Sequence, residues 1–198
     1  DRIFEGQMFN FEVDAFDADG DDLEYMWDMG DESSKKDGDS VRHGYSDDGV
    51  YIIVVSVSDG ETTTTKEFEL IVENAAPTFI SPNGDLKIAY DDIVDEGPDQ
   101  ITFSAQAFDV ASDEVKITWL FRELGASKVT EVKGNVAEYI FRDDGEYEVT
   151  VIAEDEDGGV TEEILIVTVK NVAPQFILFE IPEGGEEGTA LDFQVSAT

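Results

Sequence analysis

Residues His43–Gly60 read HGYSDDGVYIIVVSVSDG. A short extended run ending at Tyr45 turns through Ser46-Asp47-Asp48-Gly49, continues as Tyr51-Ile52-Ile53-Val54-Val55-Ser56-Val57 and closes on Asp59-Gly60. β-Branched side chains dominate the run and suit a pleated, half-buried surface, and glycines punctuate both ends. It is therefore expected to be a central strand of a β-sandwich. Upstream stands a second marked pentad, Trp27-Asp28-Met29-Gly30-Asp31.

The H-x-Y turn at His43–Tyr45, the G-x-Y and valine-rich strand after it, and the W-D-x-G-D pentad at Trp27–Asp31 together resemble the polycystic-kidney-disease (PKD) repeat over residues 5–77. The resemblance implies an immunoglobulin-like sandwich of the kind found on cell surfaces and in secreted enzymes. It also implies that His43, the only histidine, is structural and neither catalytic nor metal-binding.

The same pattern recurs along the chain. Glu5-Gly6, Glu96-Gly97 and Glu187-Gly188 stand 91 residues apart, and each precedes an alternating apolar run: FNFEVDAFD, ITFSAQAFD and LDFQVSAT. Phe16-Asp17 and Phe108-Asp109 follow, each with a tryptophan (Trp27, Trp119) 11 residues beyond the phenylalanine. Asp47-Asp48-Gly49-Val50-Tyr51 matches Asp143-Asp144-Gly145-Glu146-Tyr147, and both units end in an Asn-x-x-Pro linker, Asn74–Pro77 and Asn171–Pro174. A period this long means tandem domains and not a solenoid.

The expectation is all-β: tandem immunoglobulin-like (PKD-type) Greek-key sandwiches. Repeat one is placed at 1–76 with its first strand missing, repeat two at 77–173, and the first strands of a third at 174–198, as if the chain were a window of a longer one. Strands are expected near 7–16, 23–29, 40–45, 50–58 and 62–73. In repeat two one or two are expected within 78–94, then 100–108, 115–122, 127–132, 136–141, 146–154 and 160–170. Trp27 and Trp119 should fill the two cores, and the hydroxyls of Tyr51 and Tyr147 should bond back to the preceding turn. Repeat two departs from the family pattern after its tryptophan, with Leu120-Phe121-Arg122-Glu123, and at Glu138-Tyr139-Ile140-Phe141 in place of H-x-Y. The apolar run Phe176–Phe179 with Ile181 is expected to be disordered or to pair with a neighbouring molecule.

Composition narrows function. Asp and Glu number 48 against 12 Lys and Arg, for a formal charge of -36. That excludes nucleic acid as a partner and argues against anionic lipid, because both need a basic footprint. Such self-repulsion calls for screening by bound cations or salt. With 41% hydrophobic residues the chain still has the material for cores. There is no cysteine and hence no disulfide, and no apolar run approaches the roughly 18 residues of a membrane span. Enzyme readings run out: there is one histidine, no cysteine, no phosphate-cradling glycine loop and no G-x-S-x-G elbow. Among 48 acids a carboxylate pair at glycosidase-like spacing arises by chance.

What remains is carboxylate clustering at domain ends. Asp17, Asp19 and Asp21 sit in an Asp/Gly turn that is not an EF-hand, since its glycine falls at the fourth place and no glutamate stands at the twelfth. Sandwich topology puts the second, fourth and sixth loops at the pole where the chain enters, and the Glu-Gly turn, Asp-Asp-Gly corner and exit linker at the other. At the junction of repeats one and two, Glu5, Asp47, Asp48 and Asn74 should therefore approach Asp109, Asp113, Asp155 and Asp157. These residues are candidate ligands for Ca²⁺, which takes 6–8 oxygens at about 2.3–2.6 Å. Glu5 and the Asn-x-x-Pro linker resemble the glutamate and linker asparagine of cadherin junctions, an analogy between related sandwiches. The alternative is a uniformly acidic, halophilic or archaeal type of surface that holds water and salt. The reading of function is a structural and adhesive extracellular module, a Ca²⁺-stiffened rod at the cell surface or in a secreted protein. Its partners are its own neighbouring repeats and other surface proteins or polysaccharide. The alternative function is an accessory substrate-binding module of a secreted hydrolase, which would present a line of exposed aromatics; Tyr25, Phe68 and Tyr90 are the scattered candidates.

Overall fold

A computed structural model describes residues 2–80, 93–111, 113–180 and 194–197. Among them there is no helix; every regular element is a strand.

The first sandwich is built from β1 (Ile3–Phe4), β2 (Phe9–Glu12), β3 (Glu24–Asp28), β4 (Lys36–Asp37), β5 (Ser40–His43), β6 (Gly49–Ser58) and β7 (Thr63–Glu73). One sheet runs β1-β7-β6-β3-β4 and faces the β2–β5 pair. In the second, β8 (Thr78–Ile80), β9 (Ile93–Asp95), β10 (Ile101–Ser104), β11 (Gln106–Phe108), β12 (Lys116–Glu123), β13 (Thr130–Lys133), β14 (Val136–Tyr139), β15 (Gly145–Glu154) and β16 (Val160–Lys170) follow the same plan. Its large sheet runs β13-β12-β15-β16-β9, opposed by β10–β14 and β8–β11.

Alternation drives burial. Along β15, Tyr147, Val149, Val151 and Ala153 point inward and the residues between them outward, as period-two patterning requires. Trp27 opposes Val55 and Trp119 opposes Val151 at the centre of each large sheet, 1% and 0% exposed. Each indole N–H finds a carbonyl, Gly38 O at 2.8 Å and Gly134 O at 2.9 Å, so burying the ring strands no donor. Truncating either ring to alanine would cost roughly 3–5 kcal/mol. The tyrosine hydroxyls bond back as expected, Tyr51 to Asp47 O at 2.8 Å and Tyr147 to Asp143 O at 3.2 Å.

The family motif accounts for the lower part of the first core. His43 is buried, bonds Asp31 at 2.7 Å through Nε2 and meets the Tyr45 ring edge-on. Gly30 sits at φ 78 with no room for a Cβ beside the Ile52 backbone, which explains why the loop demands glycine there. In the second sandwich apolar packing replaces this polar pair: Tyr139 stacks on Phe121 at 4.3 Å, and Phe141 packs on Phe103 and Tyr147.

Four strand expectations need correction. A strand does precede Glu5, because β1 adds parallel to β7 just as β9 adds to β16; two residues were too short a signal to read. The two-residue β4 was missed for the same reason. The expected 100–108 strand is two, because at Ala105 the chain leaves β14 and joins β8, changing sheets. Finally, β17 (Phe176–Glu180) is an ordered strand that pairs with the same chain's β18 (Gln194–Ala197), while Ile181 lies outside the described residues. Phe176 opposes Ala197 as Phe79 opposes Ala107, so this pair repeats the opening of the second sandwich.

Candidate metal centre between the two sandwiches

Strand ends set the positions of the candidate residues. Because β1 runs parallel to β7 with Phe4 beside Glu73, the next residues, Glu5 and Asn74, emerge at one pole. Gly49 pairs with Val72, which brings the Asp47-Asp48 corner to the same place. In the second sandwich Phe108 pairs with Thr78, Lys116 with Glu154 and Glu154 with Val160. The turns after β11, before β12 and after β15 therefore converge where the linker arrives, carrying Asp109, Asp113, Asp155 and Asp157.

The structure gathers these eight residues into one region. Three overlapping triads have ligand atoms within 4.8 Å of one another: Glu5/Asp47/Asp48, Asp47/Asp113/Asp157 and Asp109/Asp113/Asp155. The middle triad draws on both sandwiches. Glu5, Asp109 and Asp155 are only 1%, 7% and 4% exposed. Asn74 bridges the domains, donating from Nδ2 to Asp155 Oδ1 at 3.2 Å. That oxygen also accepts the N–H groups of Asp157 and Gly159, Glu5 Oε1 accepts from Ala75 N at 2.9 Å, and Asp109 Oδ1 accepts from Val110 N.

These bonds leave a conspicuous remainder. Glu5 Oε2, Asn74 Oδ1, Asp109 Oδ2, both Asp113 oxygens and Asp155 Oδ2 are buried with no hydrogen-bond partner. All six are acceptors, and none of the ion pairs among the described residues involves any of them. Burying an ionised carboxylate unpaired costs several kcal/mol, at order of magnitude, unless something positive compensates. Desolvation, offset only in part by the Ala75 N–H and reinforced by Asp113, Asp48 and Asp109, pushes the Glu5 carboxyl above its ordinary range. Desolvation likewise raises Asp109, with Asp155 and Asp113 adding repulsion. Asp157 is raised by desolvation and by Asp48, Asp113 and Asp47.

Two glycines seal the contact. Gly6, at φ 70, lies so close to Val110 that a Cβ would sit 2.5 Å from its Cγ1. A Cβ on Gly159 would collide with Asp155 Oδ2 and press on Ala76 and Asn74. Sequence reasoning overlooked both, though the Glu-Gly repeat was a signal for the first.

Asp17, Asp19 and Asp21 are not brought together as a ligand group. Asp17 Oδ1 instead accepts the N–H groups of Asp19, Gly20 and Asp21, bonds that lower its pKa, so the turn itself uses the carboxylate. A fourth triad, Glu96/Asp143/Asp144, was missed although the matching Glu-Gly and Asp-Asp-Gly segments of the two repeats pair it with Glu5/Asp47/Asp48. Of the aromatic candidates, Phe68 packs edge-on against Trp27, Tyr25 is half-buried on β3, and Tyr90 lies outside the described residues.

The paired sandwiches, the buried Trp27 and the Asp31–His43 link agree with the family comparison, in which PKD domain matches fall on residues 1–72 and 85–168. The chain belongs to the PKD-domain family. Such domains are in general non-catalytic, extracellular structural modules, and here two stand in tandem. No curated protein matches the chain. Solved structures similar to these PKD repeats include the fibronectin(III)-like modules of Clostridium thermocellum CbhA, at 18% identity over 86% of this chain and 89% of that one, TM-score 0.37. The amphioxus IgVJ-C2 molecule is 17% identical over 85% and 99%, TM-score 0.40. Immunoglobulin domains 1–5 of Sidekick-1 are 12% identical over 90% and 38%, TM-score 0.42.

Proposed function

We propose that the tandem PKD domains act as a Ca²⁺-clamped spacer, a structural module that holds its neighbours at fixed separation and angle in a surface or secreted protein. The observation that carries this reading is the set of six buried, partnerless acceptor oxygens contributed by both sandwiches and their linker. Repulsion among seven carboxylates would drive the domains apart, and a cation shared between them reverses the sign of that force. Hard oxygen donors of mixed carboxylate and amide type suit Ca²⁺, which accepts irregular geometry, better than Mg²⁺, which demands a near-ideal octahedron. Zinc is disfavoured by the donor set: the chain has no cysteine, and its one histidine is spent on Asp31.

The test is thermal melting and small-angle scattering with millimolar Ca²⁺ and with chelator, at constant ionic strength. Ca²⁺ should raise the melting temperature, narrow the distribution of domain angles and do so at high NaCl as well as low. Identical melts and scattering in both conditions would leave the carboxylates as a solvated surface.

A further inference from the structure

We infer that the clamp holds more than one Ca²⁺: an enclosed ion in the Asp109/Asp113/Asp155 triad and at least one outer ion in the Asp47/Asp113/Asp157 triad, bridged by Asp113. This rests on the Ca²⁺ reading above and adds the number, order and inequality of the ions.

Two oxygens on one Ca²⁺ stand at most about twice the metal–oxygen distance apart, or roughly 5 Å. Each triad satisfies that limit within itself. Asp113 belongs to two of them, and both of its oxygens are buried without a partner. A carboxylate serving a single ion side-on would not need membership of two triads; one oxygen turned to each ion accounts for both observations. Asp47 repeats the arrangement one step outward, shared between the Asp113/Asp157 triad and that of Glu5 and Asp48.

Charge points the same way. The region carries seven carboxylates and one amide, so a single divalent ion leaves a large uncompensated negative charge in a partly desolvated space. Burial then ranks the positions. The enclosed triad contains two acids under a tenth exposed, with Asn74 Oδ1 and Glu5 Oε2 as further unpartnered oxygens in the junction. Asp47 and Asp157 in the outer triad are exposed to water and salt. The enclosed ion binds more tightly and first, and by neutralising one side of Asp113 it leaves the other side to complete the outer position.

The experiment is calorimetric Ca²⁺ titration of the whole chain, with flow dialysis for stoichiometry. Two or more ions per chain in two affinity classes are expected, the weaker class fading as NaCl is raised. Asp157→Asn should weaken the second class about tenfold or more and leave the first nearly unchanged. Asp109→Asn should weaken the first, and circular dichroism in chelator would verify that both variants fold like the parent. One ion per chain, or a single class reduced equally by both variants, overturns this inference while the clamp stands. No Ca²⁺ uptake at all overturns both.

Discussion

The two lower poles of the molecule are built alike and meet different fates. At the first, Glu5 N bonds Glu73 O and Gly6 N bonds Tyr45 O; at the second, Glu96 N bonds Lys170 O and Gly97 N bonds Phe141 O. Glu5 Oε1 accepts from Ala75 N at 2.9 Å, and Glu96 Oε1 from Val172 N at 2.9 Å. Each has an Asp-Asp corner beside it. Yet Glu5 is buried and raised in pKa, whereas Glu96 is half-exposed. The asparagines diverge as well. Asn171 turns its amide onto its own Glu96 at 3.0 Å, while Asn74 reaches across to Asp155. Among the described residues, what separates the poles is apposition: the second sandwich closes over the first pole and buries its Glu5. The same half-set of ligands is, among those residues, half-exposed in one place and enclosed in the other.

The largest effect that would sharpen this contrast is metal removal. Stabilisation by a bound ion grows as RT ln(1 + [L]/Kd), about 2.7 kcal/mol at a hundredfold excess over Kd. Asp155→Asn or Glu5→Gln should lose most of that increment in calorimetric melts, and Glu96→Gln should retain it. Equal losses at Glu5 and Glu96 would break the comparison.

Next comes the seal. Gly6→Ala should destabilise by about 1–3 kcal/mol, since it forces a side chain into a left-handed conformation and into Val110. Scattering should show the domain angle opening, an effect a strained turn alone would not produce.

Smaller still is the pH response in chelator. Glu5, Asp109 and Asp157 have folded pKa values above their unfolded ones. The stability they permit is complete below the unfolded value and lost as pH rises through the folded value. The metal-free melting temperature should therefore climb as pH falls from neutrality through the raised folded values of these groups, and Glu5→Gln should flatten the slope. Ca²⁺ should reverse the trend, because protons then compete with the ion. The smallest effect is expected for Glu96→Gln itself, within about 0.5 kcal/mol by chemical denaturation with or without Ca²⁺.

Periodic patterning made the two sandwiches legible, because alternation, turn glycines and a 91-residue register are local or repeated signals. Topology followed from the same signals and was enough to name which eight residues face each other across Asn74–Pro77. Two-residue strands such as Ile3–Phe4 carry no period, and the change of sheet at Ala105 depends on partners far away in the chain. At the site, residue identity could not tell Asp17 from Asp109. Both follow a phenylalanine at matching places in the repeat, yet one carboxylate is consumed by its own turn and the other is left with a buried, unpaired oxygen. That difference belongs to tertiary structure, since desolvation is set by whatever closes over a group, and here that is the neighbouring sandwich.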